Sequence, residues 1–121
     1  MDVFTLQNKL GKYRVRTHDE VQERLMEIGK ELGYFVIDEY EVPNLVTEGR
    51  VSKIDVVWRS RGRIAVAFEV RMKNRELDMP TSEKDRKKLE RLDAEEKFFV
   101  NASRKTGKTY VFQMGENGEW L

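Results

Sequence analysis

The sequence contains no cysteine, two prolines, one histidine and no long apolar run. The absence of cysteine excludes disulfides, thiolate catalysis and zinc sites that use cysteine ligands. No stretch approaches the roughly 20 apolar residues of a membrane span, and the beginning of the chain lacks the apolar centre of a signal peptide. We therefore expect a cytoplasmic protein that does not insert into a membrane.

An excess of one charge is also absent, since 23 Lys and Arg residues stand against 22 Asp and Glu residues. A net charge of +1 excludes the simple argument that a very basic protein must bind nucleic acid, so the positions of the charges have to decide. Charged residues are nevertheless abundant, with 15 Glu, 12 Arg and 11 Lys against three Gln. This bias is typical of thermophile proteins, although a heavily charged mesophile domain has a similar composition.

The length of 121 residues predicts a single domain, 1–121, with one core. A first clear helix is expected over about 18–32. Its start matches a capping box, Thr17 to Glu20, and its apolar residues follow at helical spacing. These residues are Val21, Leu25, Ile28 and Leu32. The few residues before it indicate a short docking helix that ends near Gly11.

Runs of aromatic and β-branched residues predict five strands. They cover about 34–42, 51–59, 64–72, 98–100 and 108–114, and the segment 43–50 is turn-like. A second helix is expected over about 82–94, with Thr81 or Ser82 as its cap. The predicted fold class is therefore α/β (α+β), a mixed β-sheet flanked by helices in the order α-β-β-β-α-β(-β).

Two carboxylates face each other on the second and third predicted strands. Side chains alternate between the two faces of a strand, so Asp55 lies on the face opposite to that of Ile54, Val56 and Trp58. In the same way, Glu69 lies on the face opposite to that of Ile64, Val66, Phe68 and Val70. A tight hairpin at RSRGR allows paired residue numbers that sum to about 122 or 124, which makes the two acids diagonal or directly opposite neighbours. Like charges at such positions destabilise a sheet. Either a divalent cation or an ion-pair network with Arg71 and Lys53 has to compensate them.

The run Lys53 to Trp58, the hairpin and the run Ala65 to Arg71 resemble the PD-(D/E)XK nuclease superfamily. The likeness covers about residues 18–101 and implies a restriction-endonuclease-like core of helix, three strands, helix and strand. It also implies that Asp55 and Glu69 are ligands of Mg²⁺ or Mn²⁺, with a further acid, Glu20, on the first helix.

The motif's lysine is replaced by Arg71, which cannot lose its proton in a protein. Arg71 is therefore expected to position a phosphate or water and to stabilise negative charge, not to act as a base. Lys53 and Lys73 share faces with the two acids and are candidates to assist. Without them, metal-bound water remains a nucleophile.

Other polar residues have simpler interpretations. Glu20 is equally a capping-box residue, and His18, in the first turn of the helix, is interpreted as solvated. Glu39 and Glu41 on the first strand are further candidates to approach the metal, but exposed strand carboxylates without such a role are commoner.

Basic residues concentrate around the hairpin. The predicted contacts to nucleic-acid phosphates are Arg59, Arg61, Arg63, Lys73 and Arg75. The bases of the second helix, Lys84, Lys87, Lys88 and Arg91, are interpreted as pairing with Glu83, Asp85 and Glu90 on a solvated face.

The function expected from the resemblance is a Mg²⁺-dependent endodeoxyribonuclease that hydrolyses DNA phosphodiester bonds. Because one subunit of this length offers a small footprint on DNA, we expect a homodimer that places two sites on the two strands. The alternative is a catalytically inactive nuclease-fold module that binds nucleic acid or a partner nuclease. A protein-interaction domain whose sheet is only a scaffold is a third possibility.

Overall fold

The computed structural model describes residues 1–47, 49–74 and 83–121, without the side chains of residues 44–47. Within these ranges it contains three helices and five strands. In chain order they are α1 (Val3–Leu10), α2 (His18–Glu31), β1 (Phe35–Thr47), β2 (Arg50–Ser60), β3 (Arg63–Lys73), α3 (Glu83–Arg91), β4 (Glu96–Ser103) and β5 (Thr109–Gln113). The α/β class and the predicted order of elements after α1 are confirmed.

All five strands form one mixed sheet in the order β1-β2-β3-β4-β5. Neighbouring strands are antiparallel except β3 and β4, which are parallel and separated in the chain by α3. A parallel pair needs a long crossover of this kind, whereas antiparallel strands connect through short turns. Strand β3 therefore lies at the centre of the sheet, and its residues from Ala65 to Val70 are all buried.

Two apolar cores lie on the sheet. The first core lies between the sheet and helices α1 and α2. Its members include Leu6, Leu10, Val21, Leu25 and Ile28 of the helices and Val56, Trp58, Val66, Phe68 and Phe98 of the strands. The second core includes Leu89 of α3 and Leu92 just after that helix, and it consists of Ile54, Val57, Ala67, Leu89, Leu92 and Met114. The central strands consequently contribute apolar side chains to both cores.

Helix α2 begins where the capping box predicts. The Thr17 hydroxyl accepts the backbone N–H of Glu20 at 3.1 Å, and Oε2 of Glu20 accepts the backbone N–H of Arg16 at 2.9 Å. These bonds satisfy N–H groups that have no partner inside the helix. Deeper in the fold, the Trp58 indole N–H donates to the Leu25 carbonyl at 3.0 Å and ties α2 to β2.

The predicted turn over 43–50 is mostly wrong. Strand β1 continues to Thr47, β2 begins at Arg50, and the backbone pairs Val46 with Val51 and Thr47 with Arg50. The ladder register shifts between Glu41 and Val46, so the pairing of β1 with β2 is irregular there. Pro43 has no N–H to donate to a ladder. Strand β1 tolerates this proline because it is an edge strand with a neighbour on one side only.

The predicted position of Ile54 on the face of Val56 and Trp58 is also wrong. Ile54 packs in the second core beside Val57, and Ile64 packs against that core as well. The β2–β3 register shifts by one residue near the hairpin, which turns Ile64 to the other face.

The core-facing side chains of β1 also switch from one face of the sheet to the other, at the position that lies opposite the switch in β2. Val36 packs against the first core and Tyr40 against the second, although both follow one continuous register against β2. Between them Glu39 has a φ of 47°, in the left-handed region that non-glycine residues rarely adopt. This local twist of both strands departs from strict alternation and positions Glu39 and Asp55 where the strands change face.

Several predictions fall on residues that the structure does not describe. These are the helix caps Thr81 and Ser82 and the phosphate contact Arg75. None of the three helices within the described ranges combines the length and the apolar character that a membrane crossing requires.

Candidate functional site

Glu69 is a carboxylate in the most buried strand of the sheet. Its side chain is 3% exposed and lies between the buried neighbours Phe68 and Val70. A charge in such a position is costly unless it is paired or hydrogen-bonded. The surroundings of Glu69 therefore define the first part of the site.

The β2–β3 ladder ends at this point. Within the described residues, backbone pairing runs from the hairpin to Val56 and Phe68, whose numbers sum to the larger of the two predicted values. At the next position, the side chains of the two acids accept the backbone N–H groups of the facing strands instead. Oε1 of Glu69 accepts the backbone N–H of Asp55 at 3.2 Å, and Oδ2 of Asp55 accepts the backbone N–H of Val70 at 2.8 Å. The two acids are thus brought together, each held by the backbone of the other strand.

Lys88 from helix α3 completes the surroundings of Glu69. Its Nζ lies 3.2 Å from Oε2 of Glu69, and the lysine side chain is only 15% exposed. Burial raises the pKa of the Glu69 carboxyl well above its usual range, the negative charge of Asp55 raises it further, and Lys88 opposes both effects. The predicted pairing of Lys88 with acids of its own helix is therefore wrong.

Arg71 is held by a second residue of α3. Its Nε donates to Oδ2 of Asp85 at 2.6 Å, and its NH2 group donates to Oδ1 at 3.3 Å. The Asp85 side chain is 5% exposed, whereas that of Arg71 is 45% exposed. The bond to Asp85 raises the pKa of Arg71, so the guanidinium stays charged at the surface.

His18 approaches Asp55 from the first turn of α2. Its Nε2 lies 3.4 Å from Oδ2 of Asp55, and this hydrogen bond raises the pKa of His18 against the effect of partial burial. The interpretation of His18 as a merely solvated residue is wrong. Its position at the first turn of an amphipathic helix gave no signal of this contact, which depends on how α2 packs on the sheet.

An open cavity of about 300 Å³ connects these groups. Its lining residues come from α2, β2, β3, α3 and the loop after β4, and they are His18, Asp55, Glu69, Val70, Arg71, Met72, Asp85, Lys88 and Arg104. The acids lie at its base, and three basic side chains contribute to its wall. Such a combination suits an anionic ligand bound next to a cation.

Three of the predicted catalytic residues do not line this cavity. Glu20 is bonded to Arg16 in the helix cap, Lys53 is exposed, and the described contacts of Lys73 are backbone ones. Lys88, which sequence reasoning assigned to a solvated face, takes the place beside Glu69 instead. The sequence contained only a weak signal for this position of Lys88. Leu89 and Leu92 indicate which side of the α3 region packs on the sheet, and Lys88 borders that side.

The predicted basic hairpin forms, but away from the acids. A two-residue turn, Arg61 and Gly62, closes it with both φ values positive, at 54° and 75°. Arg59 donates to the Gly62 carbonyl at 3.1 Å. Since a strand rises about 3.3 Å per residue, the tip lies roughly 17 Å along β2 from Asp55.

The donor set at the base of the cavity fits a divalent cation. Asp55 and Glu69 are hard oxygen ligands, which Mg²⁺ and Mn²⁺ prefer. Burial is the main cause of the raised pKa of Glu69 and the negative charge of Asp55 raises it further, so additional positive charge beside the two acids would favour their ionised forms. A bound divalent ion would supply that charge.

No family model matches the chain, and no curated protein or solved structure matches it significantly. The comparisons therefore assign no family, and the resemblance to PD-(D/E)XK nucleases stays a prediction from the residues. The function has to be inferred from the geometry of the cavity.

Proposed function

We propose that the protein is a metal-dependent endonuclease that hydrolyses DNA phosphodiester bonds in the cavity between α2, β3 and α3. The observation that carries the proposal is the arrangement of Asp55 and Glu69 on adjacent strands with Lys88 at 3.2 Å from Glu69. Two acids and one ammonium group at the base of an open, basic-walled cavity match the needs of phosphodiester hydrolysis.

Asp55 and Glu69 would hold the Mg²⁺ or Mn²⁺ ion. When bound, such an ion lowers the pKa of a water and neutralises charge on the phosphoryl group. The backbone N–H groups of Asp55 and Val70 fix the two carboxylates, so little reorganisation is needed on binding. Lys88 orients Glu69 and contributes hydrogen-bond donors toward a water or phosphate oxygen.

Arg71 stabilises the developing negative charge on the phosphate in this proposal. Asp85 fixes the guanidinium through two hydrogen bonds and leaves part of it exposed toward the cavity. A planar guanidinium binds phosphate oxygens well but does not act as a base. In this proposal Arg71 has the role expected from the sequence, and Lys88 assists in place of Lys53 or Lys73.

Basic side chains at the wall would bind the strand that is cut. Arg104 lines the cavity with Arg71, and Arg16 donates to the carbonyls of Arg104 and Lys105, which positions this loop. The hairpin bases Arg59, Arg61 and Arg63 would contact phosphates farther along the duplex.

The test is cleavage of supercoiled plasmid and of branched DNA in Mg²⁺ or Mn²⁺. We expect the wild type to cut, and Asp55→Asn and Glu69→Gln to abolish cutting while retaining the wild-type circular dichroism spectrum. Glu41→Gln, an exposed acid of β1 outside the cavity, is the matched control and should cut normally. A folded wild type that cuts none of these substrates with either metal contradicts the proposal.

The alternative is a nuclease-fold module that binds nucleic acid or a partner nuclease without cutting. The two ion pairs Lys88–Glu69 and Arg71–Asp85 favour it, because two of the three basic side chains of the cavity are already partly neutralised inside the protein. Salt-sensitive DNA binding that needs no metal, together with an absence of cleavage, would support this alternative.

A further inference from the structure

A second group of ligating side chains shares Asp55. One nitrogen of His18 and one oxygen each of Glu39 and Asp55 all lie within 4.8 Å of one another. The three residues come from α2, β1 and β2, so tertiary packing brings them together. His18 and Asp55 are half-buried, and Glu39 is exposed.

The buried amide of Gln22 fixes two members of this group. Its Nε2 donates to Oε1 of Glu39 and to the backbone carbonyl of Asp55, both at 3.0 Å. Gln22 itself is 4% exposed and lies one helical turn after His18. A buried polar side chain that orients a carboxylate in this way is typical of the outer shell of a metal site.

We propose that His18, Glu39 and Asp55 bind a first-row divalent transition-metal ion. One imidazole nitrogen and two carboxylate oxygens suit Mn²⁺ and its neighbours, whereas Mg²⁺ and Ca²⁺ prefer oxygen alone. Ligand atoms on opposite sides of one ion lie about 4.4 Å apart at most, so a small movement of the exposed Glu39 side chain is enough. Three protein ligands leave further positions open for water or an anion.

This site is distinct from the pair Asp55–Glu69 in its ligands and adds metal selectivity to the proposed function. It relates to that function only through the shared Asp55, because the group would bind a cation even if no phosphodiester bond is cut. Its consequence for a nuclease is a preference for Mn²⁺ over Mg²⁺.

The decisive measurement is pulsed electron paramagnetic resonance of Mn²⁺ bound to the tag-free protein. His18 is the only histidine in the chain, so ¹⁴N coupling from an imidazole ligand can come only from this residue. We expect the coupling in the wild type and its loss in His18→Gln, which changes one half-buried side chain in the first turn of α2. Wild-type protein saturated with Mn²⁺ that shows no imidazole coupling would overturn the inference.

Calorimetric titration with Mn²⁺ and Mg²⁺ gives an independent readout. We expect His18→Gln and Glu39→Gln to weaken Mn²⁺ binding by about tenfold or more, and the matched control Glu41→Gln to change it by less than about twofold. Equal effects of Glu39→Gln and Glu41→Gln would contradict the assignment. The plasmid assay separates the two proposals: imidazole coupling without cleavage leaves the metal site standing, whereas cleavage without coupling leaves only the nuclease.

Discussion

The ammonium group of Lys88 lies 3.2 Å from Oε2 of Glu69, although the lysine is on helix α3 and the acid is on strand β3. Both side chains are largely removed from solvent. Because a buried carboxylate is costly without a partner, this contact is part of the reason that the central strand tolerates an acid. The contact also places a lysine beside Glu69, whereas the position of the motif's lysine is occupied by Arg71.

Lys88→Met should remove this ammonium group while keeping most of the aliphatic stem. We expect cleavage of plasmid DNA to fall by about 100-fold or more, because one positioned donor at the reacting phosphate is lost. The matched variant Lys87→Met changes an exposed base on the same helix and should cut at nearly the wild-type rate. Normal cutting by Lys88→Met would show that this lysine has no part in the chemistry.

Arg71→Lys should not increase cutting, because Lys88 already provides an ammonium group beside Glu69. A lysine also cannot make the two hydrogen bonds that Arg71 makes to the buried Asp85. We therefore expect the free energy of unfolding in urea to fall by about 1 kcal/mol. Arg24→Lys, at an exposed pair with Glu27, should cost less than about 0.5 kcal/mol. A large gain in cutting by Arg71→Lys would mean that the natural residue attenuates the enzyme.

The stability of the metal-free protein should depend on pH through Glu69. Burial raises its pKa well above the ordinary 4.5, so the folded protein keeps a proton that the unfolded chain has lost. The resulting stability is fully present below pH 4.5 and is lost as pH rises through the raised pKa. Thermal melting in a chelator should show this decline.

Two comparisons isolate the contribution of Glu69 to that decline. Glu69→Gln should reduce the slope of stability against pH, because the amide does not ionise. Mn²⁺ should raise the melting temperature of the wild type more at pH 8 than at pH 5, since an ion binds the ionised acids. A wild-type slope equal to that of Glu69→Gln would contradict the assignment.

Gly29→Ala should destabilise the protein although alanine favours helices. A Cβ at this position would lie 2.5 Å from Nε1 and 2.7 Å from Cε2 of Trp58. The indole would have to move, and its hydrogen bond to Leu25 would weaken. We expect a loss of about 2 kcal/mol in the free energy of unfolding, since overpacking outweighs the gain in helix propensity. Lys30→Ala on the exposed side of α2 is the control, and a stabilised Gly29→Ala would refute the close contact.

Local patterns in the sequence predicted the order of the elements because they reflect local physics. The capping box at Thr17 determines where α2 begins, and the apolar runs determine which segments form strands. The hairpin length restricted the register so far that Asp55 and Glu69 had to be neighbours. The face of Ile54 could not be predicted, because the twist around Glu39 and Asp55 depends on how both strands pack.

By itself, the sequence thus determined the helices, the strands and the two facing carboxylates, since spacing along the chain controls these features. Only the tertiary structure decided that the basic group beside Glu69 is the ammonium of Lys88 and that the nitrogen beside Asp55 belongs to the imidazole of His18. Lys88 and His18 reach these acids because α3 and α2 pack on the sheet, and contacts between distant elements leave little trace in local periodicity. The same packing of α3 on the sheet brings Asp85 to Arg71, and the two side chains form an ion pair.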